Sequence, residues 1–88
     1  MDTPESVSES LEKFLADSFF IEFGGDVGPK TDLFEAGLLD SFGFVELIAF
    51  IEKTYGIKIT DDDLESPEIS NLAGLQTLIV ARMGLATE

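Results

Sequence analysis

The 88-residue chain contains no cysteine and no histidine. Without cysteine there is no disulfide, no thiolate nucleophile and no cysteine-based zinc site. Losing both residue types removes the commonest nucleophile–base pairs of enzymes. Bases are scarce too: five lysines and arginines stand against 18 aspartates and glutamates, a formal net charge of −13. Such a field repels nucleic acid and anionic membrane and attracts basic protein surfaces. Taken alone, it is also what plain solubility asks for. No apolar run approaches the length of a membrane span, about 18 residues. Met1-Asp2-Thr3-Pro4-Glu5 is acidic and polar, unlike a signal peptide, so a cytoplasmic protein is expected.

What is present is a core. Hydrophobic residues make up 44% of the sequence, which excludes a disordered acidic tail. The length suits one domain over 1–88. Thr3-Pro4-Glu5 reads as an N-cap, a proline at the first helical position and an acid in the first turn. Ser6 and Glu9 offer a second start as a capping box. Val7, Leu11, Phe14 and Leu15 share one helical face, so the first helix is expected over 4–20. A long connection follows, from Ile21 to Asp40. Its Gly24-Gly25 and Gly28-Pro29 are turn signals, with neither the spacing nor the Lys-Ser/Thr pair of a phosphate-binding loop. Thr31 to Phe34 is expected to form a turn of helix, with Leu33, Phe34, Leu38 and Leu39 pinning the loop to the core.

The second helix is expected over 41–55, closed by Gly56. At about 100° per residue, Phe44, Leu47, Ile48, Ile51 and Tyr55 form a core stripe. Phe42, Val45 and Ala49 fall on a different face, edged by Glu46 and Glu52, with Lys53 nearby. An apolar strip bounded by carboxylates suits docking of a partner, unless the bundle wraps the helix and buries both faces. Ile57-Lys58-Ile59 alternates, but three residues make no sheet; an extended linker with one isoleucine buried is expected. Thr60-Asp61-Asp62-Asp63-Leu64 predicts the cap and first turn of a short third helix. The aspartates lack the alternation, central glycine and closing glutamate of an EF-hand, so no dedicated metal site is expected. Ser66-Pro67-Glu68 is another start signal, Asn71 another cap, and Leu72, Leu75, Leu78, Ile79 and Met83 predict a fourth helix over 70–83. The fold class is therefore all-α: a four-helix bundle with three longer helices, one short helix and a long loop between helices 1 and 2.

Gly37-Leu38-Leu39-Asp40-Ser41-Phe42 sits where that loop meets the most apolar helix. Asp-Ser before an apolar run is an ordinary N-cap pair. It is also a place where a phosphoester on Ser41 would be stabilised by unpaired N–H groups and the helix dipole. The wider pattern, Asp32-Leu33-Phe34-Glu35-Ala36-Gly37-Leu38-Leu39-Asp40-Ser41-Phe42 with Val45-Glu46-Leu47 and Ile51-Glu52, resembles the acyl carrier proteins, in detail from about Thr31 to Leu64. In that family the serine after the aspartate carries 4'-phosphopantetheine, whose thiol holds an acyl group as a thioester. The resemblance implies that Ser41 bears the arm, with Asp40 positioning it. It implies that Phe42, Val45, Glu46, Ala49 and Glu52 meet partner enzymes. Those partners would be a phosphopantetheinyl transferase and acyl-activating and acyl-transferring enzymes with basic docking patches. The chain itself would be a monomer that inserts in no membrane and binds no nucleic acid.

Lys53 stands where many fatty-acid carriers have an acid, and Phe42 replaces the more usual Leu or Met. The Gly-Leu-Leu-Asp-Ser run also looks like D-alanyl carrier proteins. The cargo expected first is an acyl intermediate of fatty-acid or polyketide type. An aminoacyl cargo is the alternative, and a non-carrier acidic interaction module the third reading. Catalysis is not expected, because Ser41 has no histidine or nearby lysine to serve as base.

Overall fold

A computed structural model describes residues 3–84. Met1 and Asp2, part of the N-terminal stretch read above, lie outside them. The chain runs α1 (Pro4–Phe19), α2 (Ser41–Tyr55), α3 (Asp61–Glu65), a 3₁₀ helix (Pro67–Ser70) and α4 (Leu72–Met83). It is an all-α bundle of three longer helices and a short one, as the periodicity predicts.

Each helix starts on a side chain that satisfies its first free N–H groups. At α1 the capping box is Thr3 with Ser6, not Ser6 with Glu9. Thr3 Oγ1 accepts from the Ser6 N–H at 3.1 Å, and Ser6 Oγ accepts from the Thr3 N–H at 2.8 Å. Thr60 and Asp63 make the same reciprocal pair at α3. The fourth helix begins later than expected. Residues 67–70 wind as 3₁₀, Asn71 is extended, and its Oδ1 accepts from the Gly74 N–H at 2.7 Å. Asn71 therefore breaks one helix and caps the next.

α1 stops one residue short of the expected end. Phe20 adopts a left-handed conformation, with φ of 60°. Its N–H bonds the Ala16 carbonyl at 3.1 Å, and the Ile21 N–H bonds that of Leu15 at 3.2 Å. The left-handed residue with its bond four residues back is an αL ending, and the buried Ile21 and Leu15 lie beside it. Burial of Ile21 draws the chain back over the helix and forces Phe20 into the left-handed region, its side chain 88% exposed. A residue with a Cβ is disfavoured there by about 1 kcal/mol or more. Phe20→Gly should therefore raise the melting temperature by about 4–8 °C, the shift that about 1 kcal/mol gives a domain of this size. A thermal melt that moves down instead would show that the Phe20 ring is held by contacts.

The core is built on Val7, Leu11 and Leu15 of α1, Leu47 and Ile51 of α2, and Leu72, Leu75 and Ile79 of α4, all 1% exposed or less. Phe44 and Ile48, placed on the core stripe by periodicity, pack against it half-buried. Phe50 lies off that stripe, yet it stacks on Phe14 with ring centroids 4.1 Å apart, joining α2 to α1. Val80 is a further buried residue of α4 outside the expected set. Ile59 is the buried isoleucine of the α2–α3 linker. Arg82 fastens that linker and α3 to α4: it donates to the Lys58 carbonyl at 2.8 Å and pairs with Asp63 at 2.5 Å. The Thr60 N–H first, and Arg82 next, hold the Asp63 carboxyl below the usual carboxylate range.

The α1–α2 loop is anchored to the far side of the chain. Gly24 and Val27 exchange two backbone bonds in a tight turn, as the Gly24-Gly25 signal predicts. The Ala73 N–H bonds the Pro29 carbonyl at 2.8 Å, and the Leu33 N–H bonds the Ser70 carbonyl at 2.9 Å. Leu33 and Leu39 are buried and Leu38 is half-buried, but Phe34 is exposed, its ring 5.2 Å from that of Phe44. The helical turn expected over Thr31–Phe34 is replaced by hydrogen-bonded turns over 33–37. The reason is local. Asp32 Oδ1 takes the N–H groups of Phe34 and Glu35, and the Leu38 and Leu39 N–H groups both turn back to the Leu33 carbonyl.

Candidate functional site

The loop delivers Asp40 and Ser41 to the start of α2, and the structure separates their roles there. Asp40 is the N-cap: its backbone is extended, and its Oδ1 accepts from the Gly43 N–H at 2.7 Å. Its carbonyl accepts from the Phe44 N–H at 2.9 Å. Ser41 is the first helical residue and is exposed. Because Asp40 does the capping, the Ser41 hydroxyl is left out of that work. The N–H groups of Ser41 and Phe42 take no protein acceptor among the described residues. The site is thus an exposed hydroxyl beside two free N–H groups at the positive end of a 15-residue helix. That donor set fits a singly charged phosphodiester.

Gly43 makes this first turn compact. A Cβ there would lie 3.0 Å from Leu39 Cδ1, 3.0 Å from Phe19 Cε1 and 3.2 Å from Asp40 Oδ1. Its absence lets the end of α1 and the buried Leu39 close against the capped turn. Sequence reading passed over Gly43. The available signal was a glycine inside the most apolar helix, which costs about 1 kcal/mol relative to alanine and so argues for close approach.

Beyond Ser41 the second face of α2 stays open. Phe42 is 73% exposed and Val45 64%; Ala49 and Glu46 are exposed as well. The bundle does not wrap this side of the helix. Glu52 departs from the expectation of an exposed carboxylate. It is half-buried, and its Oε2 accepts from the Ile59 N–H at 2.9 Å, tying the last turn of α2 to the linker. The Ile59 N–H has no ladder partner in a linker without a sheet, so a nearby carboxylate satisfies it. Missed as well are Ser70 and the use made of Asp32. Asp32 Oδ2 accepts from the Ser70 hydroxyl at 3.1 Å. The Glu35 N–H, with the Ser70 hydroxyl and the Phe34 N–H, holds the Asp32 carboxyl below its ordinary range, against a smaller opposing effect of burial.

No group of carboxylates among the described residues is arranged to hold a metal ion, and no helix among them is long and apolar enough to cross a membrane.

Comparison with known proteins agrees with this geometry. A family model described as a phosphopantetheine attachment site matches residues 23–75, which contain most of the loop, Asp40, Ser41 and all of α2. Relatives include a D-alanyl carrier protein of Streptococcus equi subsp. zooepidemicus, 44% identical over 59 residues, or 67% of each chain. A D-alanyl carrier protein of Streptococcus pyogenes serotype M5 is 44% identical over 52 residues, 57% of this chain and 66% of the relative. One from Bacillus velezensis is 45% identical over 40 residues, 46% of this chain and 51% of the relative. The chain thus spans half to two thirds of the length of these curated relatives. The family's cofactor is a covalently attached 4'-phosphopantetheine, and the match reaches well past the serine motif on both sides. The chain belongs to the phosphopantetheine-attachment family of carrier proteins.

Proposed function

We propose that Ser41 is the attachment residue and that the chain carries activated carboxyl groups as thioesters on the arm it holds. The observation that carries this is the exposed Ser41 hydroxyl at the first helical position, relieved of capping by Asp40. In loading, Ser41 Oγ forms a P–O bond to the phosphorus of coenzyme A that bears the pantetheine arm. The pyrophosphate P–O bond breaks and the adenosine bisphosphate half leaves. The hydroxyl proton passes to a base of the transferase. The arm supplies a thiol on a long tether; the protein supplies attachment, presentation and recognition, and no catalysis of its own.

For the cargo, the names of the relatives favour an aminoacyl group over the fatty-acyl or polyketide group expected first. Phe42, Val45 and Ala49 are proposed as the apolar contact with partner enzymes, and Glu46 as the acid that meets their basic patches. Glu52, with one oxygen engaged by Ile59, serves the fold before it serves a partner. Steering by a field of −13 raises encounter rates without tight binding, which suits a carrier that must leave each enzyme.

The test is intact mass after incubation with a phosphopantetheinyl transferase and coenzyme A, followed by amino-acid and fatty-acid ligases. Wild type should gain one arm and then one aminoacyl group. Failure to load with several transferases would overturn the carrier reading; loading followed by fatty-acyl transfer alone would overturn the aminoacyl cargo. Glu46→Lys should slow loading several-fold at low salt while the melting temperature stays put, and added salt should slow wild type in the same way. Loading rates unmoved by both changes would remove Glu46 from the docking surface.

A further inference from the structure

The α1–α2 loop does not hold its shape by itself. Asp32 uses both carboxylate oxygens: Oδ1 accepts the N–H groups of Phe34 and Glu35, each at 3.0 Å, and Oδ2 accepts the Ser70 hydroxyl at 3.1 Å. Ser70 is buried, 8% exposed, and its hydroxyl also lies 2.9 Å from the Pro67 carbonyl. Its own carbonyl accepts the Leu33 N–H at 2.9 Å. The next link runs from the Leu33 carbonyl to the N–H groups of Leu38 and Leu39, at 2.9 and 3.1 Å. Leu39 directly precedes Asp40, the cap that leaves Ser41 free. Hydrogen bonds thus join Ser70 of the 3₁₀ helix to Asp32, 38 residues earlier, and through Leu33 to Leu39, which is covalently linked to the cap residue.

We propose that Asp32 and Ser70 form a latch that positions Ser41 for group transfer. This rests on the assignment of Ser41 as the attachment residue and extends it. Neither residue touches the reacting atoms, so both are positioning residues, acting through Leu33 and the backbone ahead of Asp40. A rigidly held hydroxyl meets the phosphorus of coenzyme A at the right distance and angle, whereas a loose one spends most encounters misaligned. The docking surface on α2 is separate from the latch. Opening the latch should therefore leave recognition alone and slow the transfer itself.

The test compares wild type with Ser70→Ala, Asp32→Ala and Asp32→Asn in transferase loading, with hydrogen exchange on the same samples. Ser70→Ala and Asp32→Ala should lower kcat about tenfold with KM for the carrier unchanged. Asp32→Asn should recover most of the rate. Its amide oxygen keeps the Phe34 and Glu35 bonds, and its amide N–H can donate to a Ser70 hydroxyl that donates to the Pro67 carbonyl. Exchange at Leu38 and Leu39 should quicken in both alanine variants and hold in Asp32→Asn, while Leu47 and Ile51 stay protected in all. A rise in KM at constant kcat, or equal losses in Asp32→Asn and Asp32→Ala, would overturn the latch. If wild type itself does not load, the assignment of Ser41 fails. The latch is then judged by exchange alone, and unchanged Leu38 and Leu39 amides in Ser70→Ala would overturn it.

Discussion

With Ser41 as the proposed attachment residue, Ser41→Ala is expected to take up no phosphopantetheine and to fold as well as wild type. The fold-side expectation follows from the division of labour at the start of α2. The bonds that secure that turn run from Asp40 Oδ1 to the Gly43 N–H and from the Asp40 carbonyl to the Phe44 N–H. Neither uses the Ser41 side chain. Alanine is a good helix former, and the position is exposed, so the stability change should stay within about 0.5 kcal/mol. The chemical loss is complete, because no oxygen remains to form the P–O bond and no neighbouring hydroxyl occupies a capped first turn of α2. Intact mass and a thermal melt on the same sample check both halves. An arm on the mutant would move the attachment site elsewhere; a collapsed melt would mean that Ser41 is part of the cap after all.

Gly74→Ala is expected to be the most damaging single methyl in the molecule. Intrinsic propensity alone favours alanine inside a helix by about 1 kcal/mol. Space decides against it. A Cβ on Gly74 would overlap the Glu68 carbonyl oxygen and would lie 2.6 Å from the Glu68 carbonyl carbon and 2.8 Å from its Cβ. Two of those atoms are backbone and cannot swing aside, so α4 and the 3₁₀ helix must part by an ångström or more. That strains the Asn71 cap and pulls Ser70 away from Leu33 and Asp32. A loss of about 3 kcal/mol or more follows, at the upper end of overpacking, and it is a large share of a stability of about 5–15 kcal/mol. Urea denaturation gives the value. A midpoint equal to or above wild type would show that the two helices separate freely.

The sequence was most legible where one signal acted alone. Helical periodicity placed α1 and α2 to within a residue, and the cap residues Thr3, Asn71 and Thr60 stood where their types suggest. Phase places Phe42, Val45 and Glu46 away from the core stripe, and they are exposed because nothing packs on that side. Reading failed where distant parts of the chain meet. Glu52 looks like any surface acid on a helical wheel; only the fold brings the orphaned Ile59 N–H to it. Phe50 sits off the core stripe and finds Phe14 because α1 passes beside it. Ser70 is an ordinary serine until Asp32 arrives from 38 residues away. Gly43 and Gly74 carried a trace of their role, as glycines placed inside helices against propensity. What each glycine makes room for belongs to tertiary structure.

The anchoring of the loop also bears on when the protein becomes competent during synthesis. α1, the loop and α2 all leave the ribosome before the residues that hold the loop in place. Leu33 waits for Ser70, and Pro29 waits for Ala73. Contacts so far apart in sequence form only after the intervening chain is available and its closure entropy has been met. Asp40 and Ser41 are therefore translated before the bonds that anchor their loop can form. A nascent chain that stops before the 3₁₀ helix has the motif without the bonds that hold its loop in shape.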